Sequence, residues 1–136
     1  MAIKNKAEKL RFGLVGVANT TIDISLLFFL TFLGLPSLAA NIVSTSCAFT
    51  FSFFVNRTYT FHSHGNAKRQ AILFIVVSLF SLWGIQSAVI WLITTLLADT
   101  TLEQSLVLLI AKLIAVVASL IWNYIMYSRV VFKEKP

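Results

Sequence analysis

The sequence predicts an all-α membrane protein with four transmembrane helices, arranged as a pseudo-repeat of two parallel two-helix units. Three observations predict it. Four apolar runs, at about 12–33, 38–56, 70–97 and 105–127, each approach or exceed the roughly 17–25 residues that cross a bilayer core. Only 12% of the 136 residues are charged, where soluble domains carry about 25%, and mean hydropathy is +0.87. The basic residues gather on alternate connections between the runs. Together these describe a single transmembrane domain over residues 1–136, with little chain left for a soluble one.

Span 1 follows Lys4, Lys6, Lys9 and Arg11 and carries the densest polar face. Gly16, Asn19 and Asp23 share one side of a helix, Thr20 borders it, and Gly13 and Gly16 permit close packing. Asp23 falls near the midplane, with Asn19 roughly 6 Å nearer the N-terminal end at 1.5 Å rise per residue. The apolar run exceeds the ~7–15 residues of a signal-peptide core, so the segment before Ser37-Leu38-Ala39-Ala40 is expected to be retained. Span 2 starts behind Pro36 and carries a small and polar stripe, Asn41, Thr45, Ala48, Ser52 and Asn56, before Arg57 and Phe61. Cys47 is mid-span and expected to be a buried small apolar residue. Span 3 contains Gln86, expected to hydrogen-bond between helices. Span 4 carries Lys112, Ala115, Ser119 and Asn123, then Arg129 and Phe132. Such stripes face protein, because small residues let helices approach and polar groups escape lipid there.

Spans 2 and 4 align without gaps at an offset of 71. Asn41 falls on Lys112, Ser44 on Ala115, Ala48 on Ser119, Ser52 on Asn123 and Phe61 on Phe132. Spans 1 and 3 align more weakly, Phe12-Gly13-Leu14-Val15-Gly16 against Phe74-Ile75-Val76-Val77-Ser78. Two helices per unit give both units the same orientation, a parallel repeat.

Ten of the eleven basic residues lie before span 1, between spans 2 and 3 (Arg57, Lys68, Arg69), or after span 4 (Arg129, Lys133, Lys135). The opposite side holds only Asp99 and Glu103. The positive-inside rule therefore places both termini and the 57–69 loop in the cytoplasm, with the protein in the cytoplasmic membrane. The net charge of +6 is thus a topology signal and a set of lipid-headgroup contacts; nucleic acid is not an expected partner. The Asn56-Arg57-Thr58 glycosylation pattern lies at that cytoplasmic end and is expected to be unmodified. His62 and His64 lack metal-ligand spacing. No nucleophile–base pair, phosphate loop or carboxylate pair is present, so neither an enzyme nor a cofactor is expected.

Asp23 and Lys112 are the only charges inside the apolar runs. Each costs roughly 2.5–3.5 kcal/mol at a helix centre on insertion scales. Their predicted depths differ by roughly 5 Å. They pair across spans 1 and 4, or they share a polar cavity in which Lys112 meets an anionic group and Asp23 sets the charge balance. Arg57 and Arg129 are boundary anchors or headgroup contacts. Asn56 and Asn123 end the polar stripes beside Trp122, Tyr124, Tyr127 and Tyr59, which read as an aromatic belt or as platforms for a sugar ring.

The run Leu10-Arg11-Phe12-Gly13-Leu14-Val15-Gly16-Val17-Ala18-Asn19-Thr20 to Asp23 is one signature. Phe53-Phe54-Val55-Asn56-Arg57-Thr58-Tyr59-Thr60-Phe61, Ala111-Lys112, and Asn123-Tyr124 through Arg129-Val130-Val131-Phe132 follow in order. Over residues 9–133 the chain resembles the GtrA-like family of small four-span membrane proteins. It departs at Val17, at Tyr59 and at Tyr127-Ser128-Arg129. The resemblance implies translocation of a polyprenyl-phosphate-linked monosaccharide, for example on undecaprenyl phosphate, for cell-wall or surface polysaccharide glycosylation. The expected groove is lined by Asn19, Asp23, Asn41, Ser52, Lys112 and Asn123. In it Lys112 meets the phosphate, Asn19 and Asn123 meet sugar hydroxyls, and Arg57 captures the headgroup. A glycosyltransferase partner and a homo-oligomer are expected. Two other readings stand beside it: a membrane scaffold for a glycosyltransferase that moves no lipid, and a small proton-coupled efflux carrier using Asp23. The fixed base Lys112 disfavours a cation site.

Overall fold

The computed structural model describes residues 2–133, with side chains from Lys6 onward. Lys135 and the side chain of Lys4, two of the basic topology signals, lie outside the described residues. Four helical stretches are long and apolar enough to cross a membrane: Lys6–Phe32, Ser37–Thr60, Ala67–Leu96 and Gln104–Val131. Among the described residues there is no strand. Phe28, Phe32, Trp83 and Trp91 keep 68–87% of their surface open. On a water-soluble chain that would be an aggregation surface; on spanning helices it is the lipid face. The protein is a multi-pass membrane protein. Its chain divides into two compact units, one up to His64 and the other from Gly65.

In the first unit, helix α1 spans Ala2–Phe32. It begins well before the apolar run because Ala, Lys, Glu, Leu and Arg all favour helix, so the basic segment continues the same rod. It ends at Gly34, whose φ of 94° needs no Cβ. There Gly34 N–H bonds Thr31 O at 3.0 Å and Leu35 N–H bonds Leu30 O at 3.1 Å, the paired closure of a Schellman cap. Pro36 then starts α2, Ser37–Val55, which packs back on α1. The helix widens into a π-turn, Asn56–Thr60, closed by Phe61 N–H to Asn56 O at 2.9 Å. His62 comes next with a φ of 49°, and Ser63 N–H returns to Arg57 O at 2.7 Å.

The second unit opens at Asn66, whose side chain accepts from Arg69 N–H at 3.0 Å and caps α3, Ala67–Leu79. A π-turn, Phe80–Ile85, leads without a break into α4, Gln86–Leu96. The partner helix α5, Gln104–Met126, packs on α4 and ends in another π-turn, Tyr127–Val131, closed by Phe132 N–H to Tyr127 O at 2.9 Å. The π-turns at the ends of α2 and α5 stand at the same offset of 71 that aligns the two helices in sequence.

The expected stripes are buried at Ala48, Asn56, Ala115 and Ser119, and are displaced by one residue at Asn41, Thr45 and Lys112, where Ala40, Ser44 and Ala111 are buried instead. On α2 the buried line is Ala40, Ser44 and Ala48; on α5 it is Val107, Ala111, Ala115 and Ser119. Asn41, Thr45 and Lys112 flank these lines on exposed positions, while Ser52 and Asn123 are half-buried. The smallest side chains take the seam because they allow backbone approach; the longer polar ones stand at its rim. Cys47 is exposed, not buried as expected, because neighbouring Ala48 occupies the seam.

Candidate functional site

In the first unit the polar face of α1 meets the seam of α2. Ser44, fully buried, donates its hydroxyl to Asp23 Oδ1 at 2.7 Å, and Thr45 donates to the same oxygen at 3.2 Å. Ser44 Oγ also lies 3.1 Å from Asn41 O, so one hydroxyl proton serves two acceptors. These partners solvate the carboxylate without neutralising it. Asn19 Oδ1, one turn away on α1, is buried and has no partner among the described residues. Asn41 contributes its carbonyl here, while its side chain position is exposed.

At the far end of α2 the π-turn holds the second polar group. Asn56 is 2% and Thr60 1% exposed. Asn56 Nδ2 donates to Ser52 Oγ at 3.2 Å, yet Asn56 Oδ1 and Thr60 Oγ1 are buried without partners among the described residues. Leaving a buried polar atom unpaired costs about 1–3 kcal/mol. Beside this turn Arg11 donates to His62 Nε2 at 2.8 Å and lies over the Tyr59 ring, 5.2 Å from its centroid. Phe12 and Phe61 meet at 6.3 Å, tilted 53°. Arg57 is half-buried within the turn.

In the second unit, Lys112 Nζ donates to Gln86 Oε1 at 2.7 Å, linking α5 to α4. Gln86 is thus the interhelical partner expected of it, and it bonds the lysine. Leu113, Ile114, Val117, Ala118 and Ile121 form an open apolar surface on α5, on the side of the helix away from Lys112 at about 100° per residue. Toward the end of α5, Trp122 packs on Phe80 at 5.3 Å with its Nε1–H buried and unpartnered, and Asn123 Oδ1 is in the same state. Tyr127 is stacked on Phe74 at 4.6 Å and 26°, and its hydroxyl hydrogen-bonds Ser78. Phe132 closes the cluster, 6.3 Å from Phe74 and 6.0 Å from Tyr127. Arg129 stands exposed on the π-turn.

Each intramembrane charge therefore finds an uncharged partner inside its own unit: hydroxyls for Asp23, an amide for Lys112. Of the residues singled out in the sequence, Asn56 and Ser52 are bonded to one another, and Asn19, Asn56, Trp122 and Asn123 each carry a buried unpartnered polar atom. Sequence reasoning missed Ser44 and Thr45 as the acid's partners, and it missed the Arg11–His62–Tyr59 group. The signal for the first was the run Ser44-Thr45 on span 2, obscured because both also fit a packing stripe. Arg11 read only as a topology signal.

The model of the family described as GtrA/DPMS, transmembrane domain, matches residues 11–132, and the chain belongs to that family. No curated protein matches it.

Proposed function

We propose that this member of the GtrA/DPMS transmembrane-domain family carries a polyprenyl-phosphate-linked monosaccharide across the cytoplasmic membrane, for glycosylation of a cell-wall or surface polysaccharide. The observation that carries the reading is Lys112, a basic group within a membrane-spanning helix whose bonded partner among the described residues is a neutral amide and not an acid. A polyprenyl phosphate needs both a cation for its headgroup and an apolar path for its tail. Lys112 supplies the first, and the exposed apolar side chains of the spans, Leu113, Val117 and Ile121 among them, leave the tail a path in lipid.

Within the second unit, Asn123 Oδ1 would accept from a sugar hydroxyl and Trp122 Nε1–H would donate to one. Within the first, Asn19, Asn56 and Thr60 offer buried oxygens to the same kind of group, with Arg57 and Arg11 as cations at the turn. Orphaned polar atoms are costly in a lipid-immersed fold, and a polar headgroup in passage would satisfy them. Positive-inside placement sets the termini and the π-turn ends of α2 and α5 at the cytoplasmic face, where the charged lipid enters. The matched π-turns and seams support a tandem repeat of two-helix units. Thin walls of two helices per unit favour a homo-oligomer, and a glycosyltransferase would take the delivered lipid. The protein itself makes and breaks no bond.

The test is reconstitution of the purified protein into liposomes containing labelled polyprenyl-phosphate sugar. Accelerated leaflet exchange over protein-free liposomes is expected. Binding of the lipid with no acceleration would retire translocation in favour of a scaffold for the glycosyltransferase.

A further inference from the structure

The geometry points to Gln86 as the residue that specifies an anion at Lys112, and to the π-turn before it as the device that puts it there. A lysine ammonium only donates, so the 2.7 Å bond fixes the amide with its oxygen toward Nζ. The amide nitrogen is thereby turned away, and it has no partner among the described residues. Two ammonium N–H groups and two amide N–H groups remain for a ligand, in a pair with no negative charge. A cationic pair with four free N–H groups and no negative charge prefers a phosphate oxygen to a cation or an uncharged alcohol. A carboxylate at this position would hold the lysine equally well and cancel the charge that the ligand needs.

The backbone explains why an amide reaches this place. Gln86 N–H bonds Ser81 O, an i→i+5 closure at the end of the Phe80–Ile85 π-turn. A π-turn adds one residue to the helix, so the helix beyond it is rotated by about 100° relative to an unbroken α-helix. Counted from the aromatic anchor of each unit, Phe12 or Phe74, the eleventh residue onward is Asp23 in the unbroken α1. In the second unit the eleventh would be Ile85, and the inserted residue brings Gln86 to that slot instead. The slot facing the partner helix thus holds an acid in one unit and a neutral amide beside a base in the other.

This inference rests on the carrier reading for its ligand, a phosphate ester on a polyprenyl chain. The experiment reads binding, so it stands apart from leaflet exchange. Purified wild-type protein and the variants Gln86→Glu and Gln86→Asn, in detergent, are titrated with undecaprenyl phosphate, undecaprenol and phosphatidylglycerol. Thermal unfolding is followed in parallel. The wild type is expected to prefer undecaprenyl phosphate over undecaprenol by about tenfold or more, the scale of one charge-assisted contact. Gln86→Glu is expected to unfold at or above the wild-type temperature and to lose that preference. Gln86→Asn, shorter but neutral, is expected to keep part of it and serves if the glutamate variant does not fold. Equal preference in the wild type and both variants would overturn the assignment, as would a wild type that binds undecaprenol as well as its phosphate. Displacement by phosphatidylglycerol at equal concentration would identify a general phospholipid headgroup as the ligand and overturn the polyprenyl source. Intact preference for the phosphate without leaflet exchange would retire translocation alone.

Discussion

Where its second helix ends, the first unit buries Asn56 and Thr60 on a π-turn; at the equivalent turn the second unit buries Tyr127 and Val131. The backbone device is the same, down to a 2.9 Å closing bond and a Phe ring pair at 6.3 Å. The filling is opposite. One turn keeps two buried oxygens without partners, and the other stacks Tyr127 on Phe74, meets it edge-on with Phe132 and satisfies its hydroxyl through Ser78. The second turn is built for stability and the first leaves polar capacity unused, which is what a transient polar ligand requires. The helices repeat the contrast with the charges exchanged: an acid held by hydroxyls in one unit, a base held by an amide in the other.

The largest expected effect tests that contrast at the turns. Tyr127→Ala should destabilise the protein by about 3–5 kcal/mol in reversible detergent unfolding, the range for deleting a buried aromatic side chain. Asn56→Ala should cost about 1 kcal/mol or less, since it removes one 3.2 Å bond and one unpaired oxygen together. Equal losses would break the comparison. Next comes the acid. Ser44→Ala should cost about 1.5–3 kcal/mol as the loss of a bond to a charged group, and about half that in an Asp23→Asn background. Unchanged cost in both backgrounds would mean that Ser44 matters for packing alone.

The seam is sharpened by a register test. Ala40→Leu and Ala111→Leu should each cost about 1–3 kcal/mol by overpacking, whereas Asn41→Leu, one residue over, should stay within about 0.5 kcal/mol. The reverse ranking would restore the stripe expected from sequence. The smallest expected effect is at Ser119. Its reciprocal bonds with Ser81 are 3.4 and 3.5 Å long, so Ser119→Ala should cost about 0.5 kcal/mol.

Much of the architecture was legible in the residues themselves. Span lengths derive from hydropathy, and the offset that pairs Ala48 with Ser119 and Phe61 with Phe132 also aligns the two π-turns. Asp23 and Lys112 announced themselves by their cost in lipid. Their partners did not, because a carboxylate at that depth is served equally well by a lysine, an amide or a hydroxyl. Helix-pair register decides among these, and Ser44 was close enough only once α2 had folded back through the Gly34 cap. The π-turns were illegible for a related reason. No residue type demands an i→i+5 bond, and the extra residue shows itself only in which side chain faces the neighbouring helix, Gln86 in place of Ile85. The one-residue displacement at Asn41, Thr45 and Lys112 has the same source. Alanine and asparagine at adjacent positions both fit a protein-facing stripe, and size decides which of them is buried.

The central claim is that Lys112 grips the phosphate of a lipid on its way across the membrane. Its most direct measurement is leaflet exchange of labelled polyprenyl-phosphate sugar in liposomes carrying wild-type protein or Lys112→Gln, at matched reconstitution and with folding checked by thermal unfolding. The account predicts acceleration by the wild type and at least a roughly tenfold slower exchange with the folded Lys112→Gln variant, the scale of one lost charged contact. Exchange at the wild-type rate in that variant would contradict it.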